Sequence, residues 1–330
     1  MPRACTSSLL ALLVVLAACP SGREVPSETR MVQVPGGTFT LGPSTPDGTP
    51  PACGGAASTE IERCDSGTQL SDPLQWIDGI TWVPAATATV ASFTIDEHEV
   101  TNLQYAHCVD LGSCSPPVSE EVGGLRYYGN SEHDRSPVVW VTHAQAMEFC
   151  ASVDKQLPTE AQWERAARYA AGGTPRTYPW PGDDPSTCTR GSARYLLAKG
   201  CGDGPAPVDY SEADKTDLGI RNMASNVSEW VLDGWNRYAY CENRQSYDEA
   251  CQLQGKSCAA CTTDGARCAK ACDADRLAVC RAGSYALFLG SGSEWVVRGG
   301  SWNHGICYNR LYVRRKGSSA AQEVGFRCVK

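Results

Sequence analysis

The sequence lacks the features of a nucleic-acid-binding protein and of a protein with several membrane spans. It carries 29 basic and 37 acidic residues, a net charge of −8, whereas nucleic-acid binding requires a basic surface. Its single long apolar run covers residues 9–18, which is too short to cross a bilayer. It has no sustained heptad repeat, and its 42% hydrophobic content is too high for a disordered chain. These absences indicate a globular protein without a nucleic-acid partner.

The apolar run has the composition of a signal peptide. Arg3 supplies positive charge before the run, and small residues directly precede Cys19 after it. This order resembles a bacterial lipobox, in which the cysteine becomes the lipidated first residue of the mature protein. We interpret residues 1–18 as a lipoprotein signal peptide and 19–30 as a tether, the alternative being an ordinary signal peptide. The expected location is the cell envelope, on the periplasmic or surface side, with the membrane reached only through the lipid anchor.

Cysteine is abundant, and its number is even once the leader is set aside. The chain has 18 cysteines, of which 16 remain without Cys5 and Cys19. An even set in an oxidising compartment indicates disulfide bonds. Closeness in the sequence suggests three local bridges: Cys53–Cys64, Cys108–Cys114 and Cys188–Cys201. Metal binding is the rival interpretation for Cys258 and Cys261, but the sequence has no partner pair at zinc-finger spacing.

Turn and capping patterns predict an α+β chain with little regular secondary structure. Three capping boxes predict three helix starts; they are Thr101–Gln104, Thr142–Gln145 and Thr159–Gln162. Alternating apolar residues around Pro-Gly-Gly predict a hairpin over residues 31–42, and short strands are predicted over 92–99 and 137–141. Within a domain at 31–330 we interpret two segments as insertions, an irregular one at about 43–90 and a cysteine-rich one at about 236–293.

Seven sequence blocks share their order with a known family. They are MVQVPGGTFTLG (31–42), IDEHEVTNLQYAHCV (95–109), a segment from PVVWVTHAQAMEFC to LPTEAQWERAAR (137–168), YPWPG (178–182), GIRNMASNVSEWVLDGW (219–235), VVRGGSW (296–302) and VGFRC (324–328). In this order they resemble the formylglycine-generating enzymes, or sulfatase-modifying factors. The resemblance implies a sulfatase-modifying-factor fold related to C-type lectins, here with disulfide-rich insertions.

The resemblance also implies a calcium site in the turn at residues 222–229. At the matching positions the family's ligands are the side chains of Asn222 and Glu229 and the main-chain carbonyls of Ser225 and Val227. Such hard oxygen ligands suit Ca²⁺. Ser225 stands where the family usually has glycine, so a positive φ at this residue would strain the turn. A calcium-free turn held by hydrogen bonds stays open as the alternative.

The family's copper site is altered in this sequence. The family oxidase binds Cu(I) through two cysteines after G-G-S and converts a substrate cysteine to formylglycine; thiolates suit Cu(I). Here His304 takes the first cysteine position and Cys307 the second, with a shorter loop between them. Ser301 matches an active-site serine, and Ser228 replaces a cleft tryptophan. If the protein were active, Cys307, His304 and Ser301 would be its catalytic residues, with copper as the cofactor.

The family's disulfide pattern bears on the same site. In the family a cysteine at the end of the second helix is bridged to the cysteine of G-F-R-C, which implies Cys150–Cys328 here. Together with the local bridges, this leaves Cys307 and seven cysteines of the second insertion. Because seven is an odd number, one cysteine of the insertion needs a partner outside it. We therefore predict a disulfide between Cys307 and the insertion, which would leave Cys307 without a free thiolate.

These observations lead to one main hypothesis and two rivals. The main one is a lipid-anchored envelope protein, degenerate at the copper site, that binds or scaffolds a protein or peptide ligand. The first rival is an oxygen-dependent oxidoreductase that converts a protein cysteine to formylglycine. The second is an iron-dependent oxidation like that of the family's sulfoxide-synthase relatives, which use a separate histidine-rich helical domain, whereas this chain has 5 histidines.

Other polar residues receive structural interpretations. Glu160 is expected at a helix start, where its charge meets the helix dipole. Four histidines are expected on the surface or in packing: His98, His107, His133 and His143. Four arginines of the C-terminal blocks are expected as core ion-pair partners, with binding of an acidic peptide as the alternative: Arg298, Arg314, Arg315 and Arg327.

Overall fold

A computed structural model of the chain describes residues 29–42, 86–169, 175–179, 204–210, 214–236, 285–289, 292–304 and 306–330. The predicted signal peptide, Cys19, the bridges Cys53–Cys64 and Cys188–Cys201 and most of the cysteine-rich insertion lie outside these residues, as does the side chain of Cys307. Within the described ranges, every helix is too short or too polar to cross a membrane.

The described chain alternates short strands with three α-helices. The helices are α1 (Asn102–Asp110), α2 (His143–Ser152) and α3 (Glu160–Arg168). The strands are β1 (Met31–Val34), β2 (Gly37–Leu41), β3 (Ala86–Val90), β4 (Phe93–Asp96), β5 (Glu121–Val122), β6 (Leu125–Arg126), β7 (Ser228–Gly234), β8 (Trp295–Arg298), β9 (Arg314–Gly317) and β10 (Val324–Gly325). Two 3-10 turns lie at Ser131–His133 and Ile306–Asn309. The predicted α+β class with little regular structure is confirmed.

All three helix starts are the predicted capping boxes. At α3, the amide of Gln162 donates to the Thr159 hydroxyl at 3.2 Å, and the amide of Thr159 donates to the Gln162 side chain at 2.9 Å. Thr101 with Gln104 and Thr142 with Gln145 repeat this exchange. Each box satisfies main-chain donors that a helix terminus otherwise leaves without a partner.

The hairpin predicted over residues 31–42 is wrong. Strand β1 pairs antiparallel with β4, and β2 pairs antiparallel with β3, so β1 and β2 run on in one long ribbon instead of folding onto each other. Pro35 and Gly36 bend the ribbon between its two halves. The partner strand β3 lies inside the segment interpreted as an irregular insertion, so that segment ends before Ala86.

The bend in the ribbon depends on a glycine. A Cβ atom at Gly36 would lie 2.6 Å from the nitrogen of Ser92 and 2.7 Å from the carbonyl oxygen of Val90. Both contacts are with main-chain atoms of the opposite strand, which cannot rotate away as a side chain can. The amide of Gly36 also donates to the Ser92 hydroxyl at 3.0 Å.

The central sheet has four strands in the order β10-β7-β8-β9. Strand β8 is antiparallel to both neighbours, with Glu229 opposite Arg298 and Arg298 opposite Arg314. Successive residues of a strand point to opposite faces. One face therefore carries Glu229, Arg298 and Arg314 toward α3, and the other carries Ser228 and Arg315.

A short buried strand predicted over residues 137–141 is also wrong. Residue Pro137 forms only an isolated bridge to Thr101. Trp140 has a φ of 59°, which turns the main chain out of the extended conformation that a ladder needs. The segment stays in the core, and Val138 and Val141 are fully buried.

The described residues contain two disulfide bonds. Cys108–Cys114 ties the turn after α1, and Cys150–Cys328 joins the end of α2 to the C-terminal block across 178 residues. Both predicted bridges are confirmed. The second one fixes β10 and the chain end against α2 and restricts the unfolded chain over a long loop.

Replacement of Gly36 by Ala tests the bend of the ribbon. Because its Cβ would press on main-chain atoms, we expect Gly36→Ala to lower the free energy of unfolding by about 1–3 kcal/mol. The matched control is Gly292→Ala, where a Cβ has no neighbour within 4 Å and the change is expected within about 0.5 kcal/mol. Urea denaturation measures both, and equal effects would contradict the close approach at Gly36.

Candidate functional site

The face of the sheet toward α3 is filled by buried ion pairs. The guanidinium of Arg298 donates to Glu160 at 3.0 Å and also to Glu164, and Arg314 donates to Glu160 at 2.9 Å. All four side chains are at most 1% exposed. Every charge here has a counter-charge, which is what buried ions require. The expected structural role of Glu160, Arg298 and Arg314 is confirmed.

A second buried pair lies at the calcium turn predicted from the resemblance. Arg327 donates to both carboxylate oxygens of Glu229, at 2.7–2.9 Å. The indole of Trp163 on α3 donates to the same carboxylate at 2.8 Å. The carboxylate of Glu229 therefore has its charge neutralised and its oxygens engaged by protein donors.

The turn itself is folded around Glu99, which sequence analysis did not single out. Glu99 accepts from the side-chain amides of Asn222 at 2.8 Å and Asn226 at 3.0 Å. Positive φ values occur at these two asparagines, 61° and 66°, and not at Ser225. Asparagine tolerates this conformation, so the strain considered for Ser225 does not arise. The Ser225 hydroxyl donates to the buried Asp214 at 2.6 Å instead.

The donor set of this turn is a poor fit to calcium. Calcium needs several oxygen ligands and net negative charge. Here the guanidinium of Arg327 occupies the Glu229 carboxylate, and the amide nitrogen of Asn222 is directed at Glu99 and at the carbonyl of Val208. The geometry favours the calcium-free alternative, a turn held by hydrogen bonds, and calcium binding at Asn222, Ser225, Val227 and Glu229 stays a prediction.

On the opposite face of the sheet, Ser301 and His304 come together. The Ser301 hydroxyl oxygen lies 2.5 Å from Nδ1 of His304 and 3.2 Å from the amide of Asn303. Nε2 of His304 lies 3.2 Å from Nη1 of Arg315. Arg315 also donates to the hydroxyl of Ser228. The residue in the first copper position thus lies among Ser301, Ser228 and Arg315.

This contact with Arg315 fixes the tautomer of His304. A guanidinium only donates, so Nε2 of His304 must accept. Burial, and to a smaller extent the charge of Arg315, holds the pKa of His304 far below its usual range. The ring is therefore neutral, with its proton on Nδ1, and Nδ1–H donates to Ser301. In this state His304 cannot act as a base toward Ser301.

The same geometry is a poor fit to copper. Imidazole binds copper through a nitrogen lone pair, and the only lone pair of His304 in this tautomer points at a guanidinium. Cys307 lies in the 3-10 turn Ile306–Asn309, with its side chain outside the described residues. Ser301 and His304 are thus brought together, but the described atoms do not form a copper site with them.

Three of the other described histidines have packing roles. Nε2 of His143 donates to the carbonyl oxygen of Val231 at 2.8 Å, and the imidazole ring stacks on Trp295. His133 stacks on Tyr127, and His98 bonds to the carbonyl of Glu99. Among the described residues no three His, Cys, Asp or Glu side chains cluster as a metal site.

The buried Glu99 makes the stability of the turn depend on pH. Burial, with a smaller effect of the Glu229 charge, raises the pKa of Glu99 to about 8, against the opposing charge of Arg327. The folded protein then holds a proton that the unfolded chain releases near the usual glutamate pKa of 4.5. Stability from this group is complete below the unfolded pKa and is lost as the pH rises through the folded pKa.

Glu99→Gln tests this linkage, since glutamine resembles the protonated acid. Between pH about 5 and about 8, we expect the wild type to lose about 2–4 kcal/mol more unfolding free energy than Glu99→Gln. The control is Glu121→Gln, an exposed position on β5, which should follow the wild-type curve. Parallel curves for all three proteins would show that Glu99 ionises normally.

Comparison with known proteins identifies the family of this chain. The family model described as "Sulfatase-modifying factor enzyme 1-like domain" matches residues 17–330. The formylglycine-generating enzyme of Thermomonospora curvata is 26% identical over 253 residues, which is 62% of this chain and 72% of that enzyme. The hercynine oxygenase of Mycolicibacterium smegmatis is 27% identical over 237 residues, or 64% of this chain, and the match spans 47% of the oxygenase.

Two solved structures share the fold. PvdO from Pseudomonas aeruginosa superposes with a TM-score of 0.54 at 19% identity, over 91% of this chain and 93% of PvdO. Treponema denticola variable protein 1 superposes with a TM-score of 0.53 at 16% identity, over 91% of this chain and 94% of that one. With the family match over nearly the whole sequence, the chain belongs to the sulfatase-modifying factor family and has its fold.

Proposed function

We propose that this protein is a binding module built on a sulfatase-modifying-factor domain and that it does not perform copper-dependent oxidation. The observation that carries the proposal is the state of His304. Where the family has the first copper cysteine, this chain has an imidazole whose Nδ1 is bonded to Ser301 and whose Nε2 faces Arg315. The neutral His304 ring, held beside the Arg315 guanidinium, has no nitrogen lone pair free to bind a metal. It can instead form part of a surface that binds a ligand.

The second altered position supports the same proposal. The resemblance places a cleft tryptophan at the position of Ser228. In this protein the Ser228 hydroxyl lies 3.1 Å from the carbonyl oxygens of both Gly299 and Gly300, and it accepts from Arg315. A small, fully hydrogen-bonded residue has replaced a large aromatic one, which leaves room for the Arg315 guanidinium in the cleft.

The sequence is the basis on which we propose a ligand and a location for this module. A signal peptide at residues 1–18 and a lipidated Cys19 would hold the domain on the envelope side of a membrane. The ligand would be another protein or peptide of the envelope. The acidic balance of the chain, 37 acidic against 29 basic residues, is the reason why we propose no nucleic-acid partner.

An oxygen-dependent oxidoreductase is the second candidate. The names of the relatives favour it, since the matches include a formylglycine-generating enzyme and a hercynine oxygenase. It would rest on Cys307, with His304 and Ser301 as the remaining residues of the site. This chain spans about half the length of the hercynine oxygenase, so the activity of that whole protein is not carried over to it.

A peptide oxidation assay separates the first two candidates. The substrate is a cysteine peptide that the Thermomonospora curvata enzyme converts to formylglycine, and that enzyme is the positive control. With Cu(I) and oxygen, we expect the present protein to leave the peptide cysteine intact in mass spectra. We also expect no tight Cu(I) binding against a competing chelator. Conversion of the peptide that requires copper and is lost in Cys307→Ser would establish the oxidase instead.

Calcium provides an independent test of the turn at residues 222–229. Because Arg327 neutralises Glu229, we expect neither calcium nor a chelator to move the melting temperature of the purified protein. An ion that bound the folded state at 100 times its Kd would stabilise it by about 2.7 kcal/mol. A calcium-dependent rise in melting temperature that corresponds to a stabilisation of this size, and that disappears in Asn222→Ala, would show that calcium is the native occupant.

A further inference from the structure

The four arginines of the C-terminal blocks have different partners. Three of them each pair with a buried glutamate, as expected; they are Arg298, Arg314 and Arg327. Among the described residues Arg315 bonds to His304 and Ser228 instead, so the expectation of a core ion pair is not met there. Arg327 has more oxygen partners than an ion pair requires, and these partners come from separate segments of the chain.

Every N–H group of Arg327 is directed at an oxygen atom. Nε donates to both carboxylate oxygens of Glu229, at 2.9 and 2.8 Å. Nη2 donates to the same carboxylate at 2.7 Å and to the carbonyl of Arg221 at 2.8 Å. Nη1 donates to the carbonyls of Asp96 and Glu97, each at 3.2 Å. All five donors of the guanidinium therefore have an acceptor.

These acceptors form an oxygen cage around a cation. The cage consists of one carboxylate and three main-chain carbonyls, which are the kinds of ligand that surround calcium in proteins. Its carboxylate, Glu229, is also a ligand that the family resemblance assigns to calcium. The carbonyls belong to the end of β4 and to Arg221, which directly precedes the turn at residues 222–229. One guanidinium thus joins β4, the start of this turn and β7.

The guanidinium is held in the cage by its neighbour in the sequence. Cys328 is bonded to Cys150 through a disulfide, and its amide donates to the carboxylate of Asp96 at 2.9 Å. Arg327 and Glu229 are both fully buried. Because the cation is part of the chain and is closed off from solvent, it cannot exchange with ions in solution as a bound metal can.

We infer that Arg327 is a built-in cation of this domain, which neutralises Glu229 and cross-links the turn in the way that the family resemblance assigns to calcium. The inference concerns how the domain is held together, and it is independent of the proposed ligand binding. It follows that the turn at residues 222–229 and the C-terminal block are stable only together. It also follows that the domain keeps this turn without a metal ion from its surroundings.

Chemical rescue of Arg327→Ala in the full chain tests the inference. The substitution leaves Glu229 without its buried counter-charge, which is strongly destabilising, so we expect the melting temperature to fall by about 5–15 °C. Ethylguanidinium at millimolar concentration should raise the melting temperature of this variant saturably and leave that of the wild type unchanged. Ethylurea has a similar shape without the charge and should rescue neither protein. Absence of rescue by ethylguanidinium, or equal rescue by ethylurea, would overturn the inference.

The matched control is Arg135→Ala, which removes an arginine whose side chain is 67% exposed and paired with Asp209. Exposed pairs contribute little to stability, so its melting temperature should stay close to that of the wild type, with or without ethylguanidinium. A rise in this control as large as that in Arg327→Ala would show that the compound acts on the protein in general, and this would overturn the inference.

Two measurements keep the test decisive if Arg327→Ala does not fold. Arg327→Lys keeps the charge but loses the planar fork, so we expect a melting temperature clearly below that of the wild type. A lysine variant as stable as the wild type would contradict the cage. The wild type needs no variant, and a calcium-dependent rise in its melting temperature would show that a metal ion, and not Arg327, is the cation of the turn. The peptide oxidation assay does not depend on either result, so failure of this inference and failure of the proposed function are distinguishable.

Discussion

The buried glutamates of α3 impose the constraint on which the rest of the domain depends. Glu160 and Glu164 are at most 1% exposed, and a buried carboxylate is tolerated only beside a cation that is itself held in place. Arg298 on β8 and Arg314 on β9 provide these cations. The strands must therefore pair in one register, and α3 must lie across them. The Arg327–Glu229 pair extends the same arrangement to the C-terminal block.

The pleat of the sheet separates this frame from the candidate site. Consecutive residues alternate between faces, so Arg314 enters the ion network and Arg315 points away from it. The same alternation gives Glu229 to the frame and Ser228 to the site. The residues at which this chain departs from the family pattern, Ser228 and His304, thus lie in the cleft and not in the ion network. A family fold can persist in this way while its metal chemistry is replaced.

Local rules in the sequence predicted some elements well, whereas long-range partners escaped them. Each capping box lies within four residues, so Thr159 and Gln162 reveal a helix start without knowledge of the fold. The ribbon partner of β2 lies more than 40 residues further on at Ala86–Val90, whereas the local Pro-Gly-Gly pattern predicts a turn. The two-residue period of a strand places Arg314 and Arg315 on opposite faces of the sheet. The sequence does not show which of the two faces meets the buried glutamates, because that depends on how α3 packs. The contact of Arg315 with His304 likewise depends on tertiary structure.

The central claim is that the cleft has exchanged a copper site for a surface that binds a ligand, and the state of Cys307 tests it most directly. Peptide mapping of the mature protein by mass spectrometry under non-reducing conditions reports the bonding partner of this cysteine. The parity of the cysteines predicts a disulfide between Cys307 and the insertion at about 236–293. A free Cys307 thiol that Cu(I) protects from alkylation would contradict the account and restore an oxidase at this site.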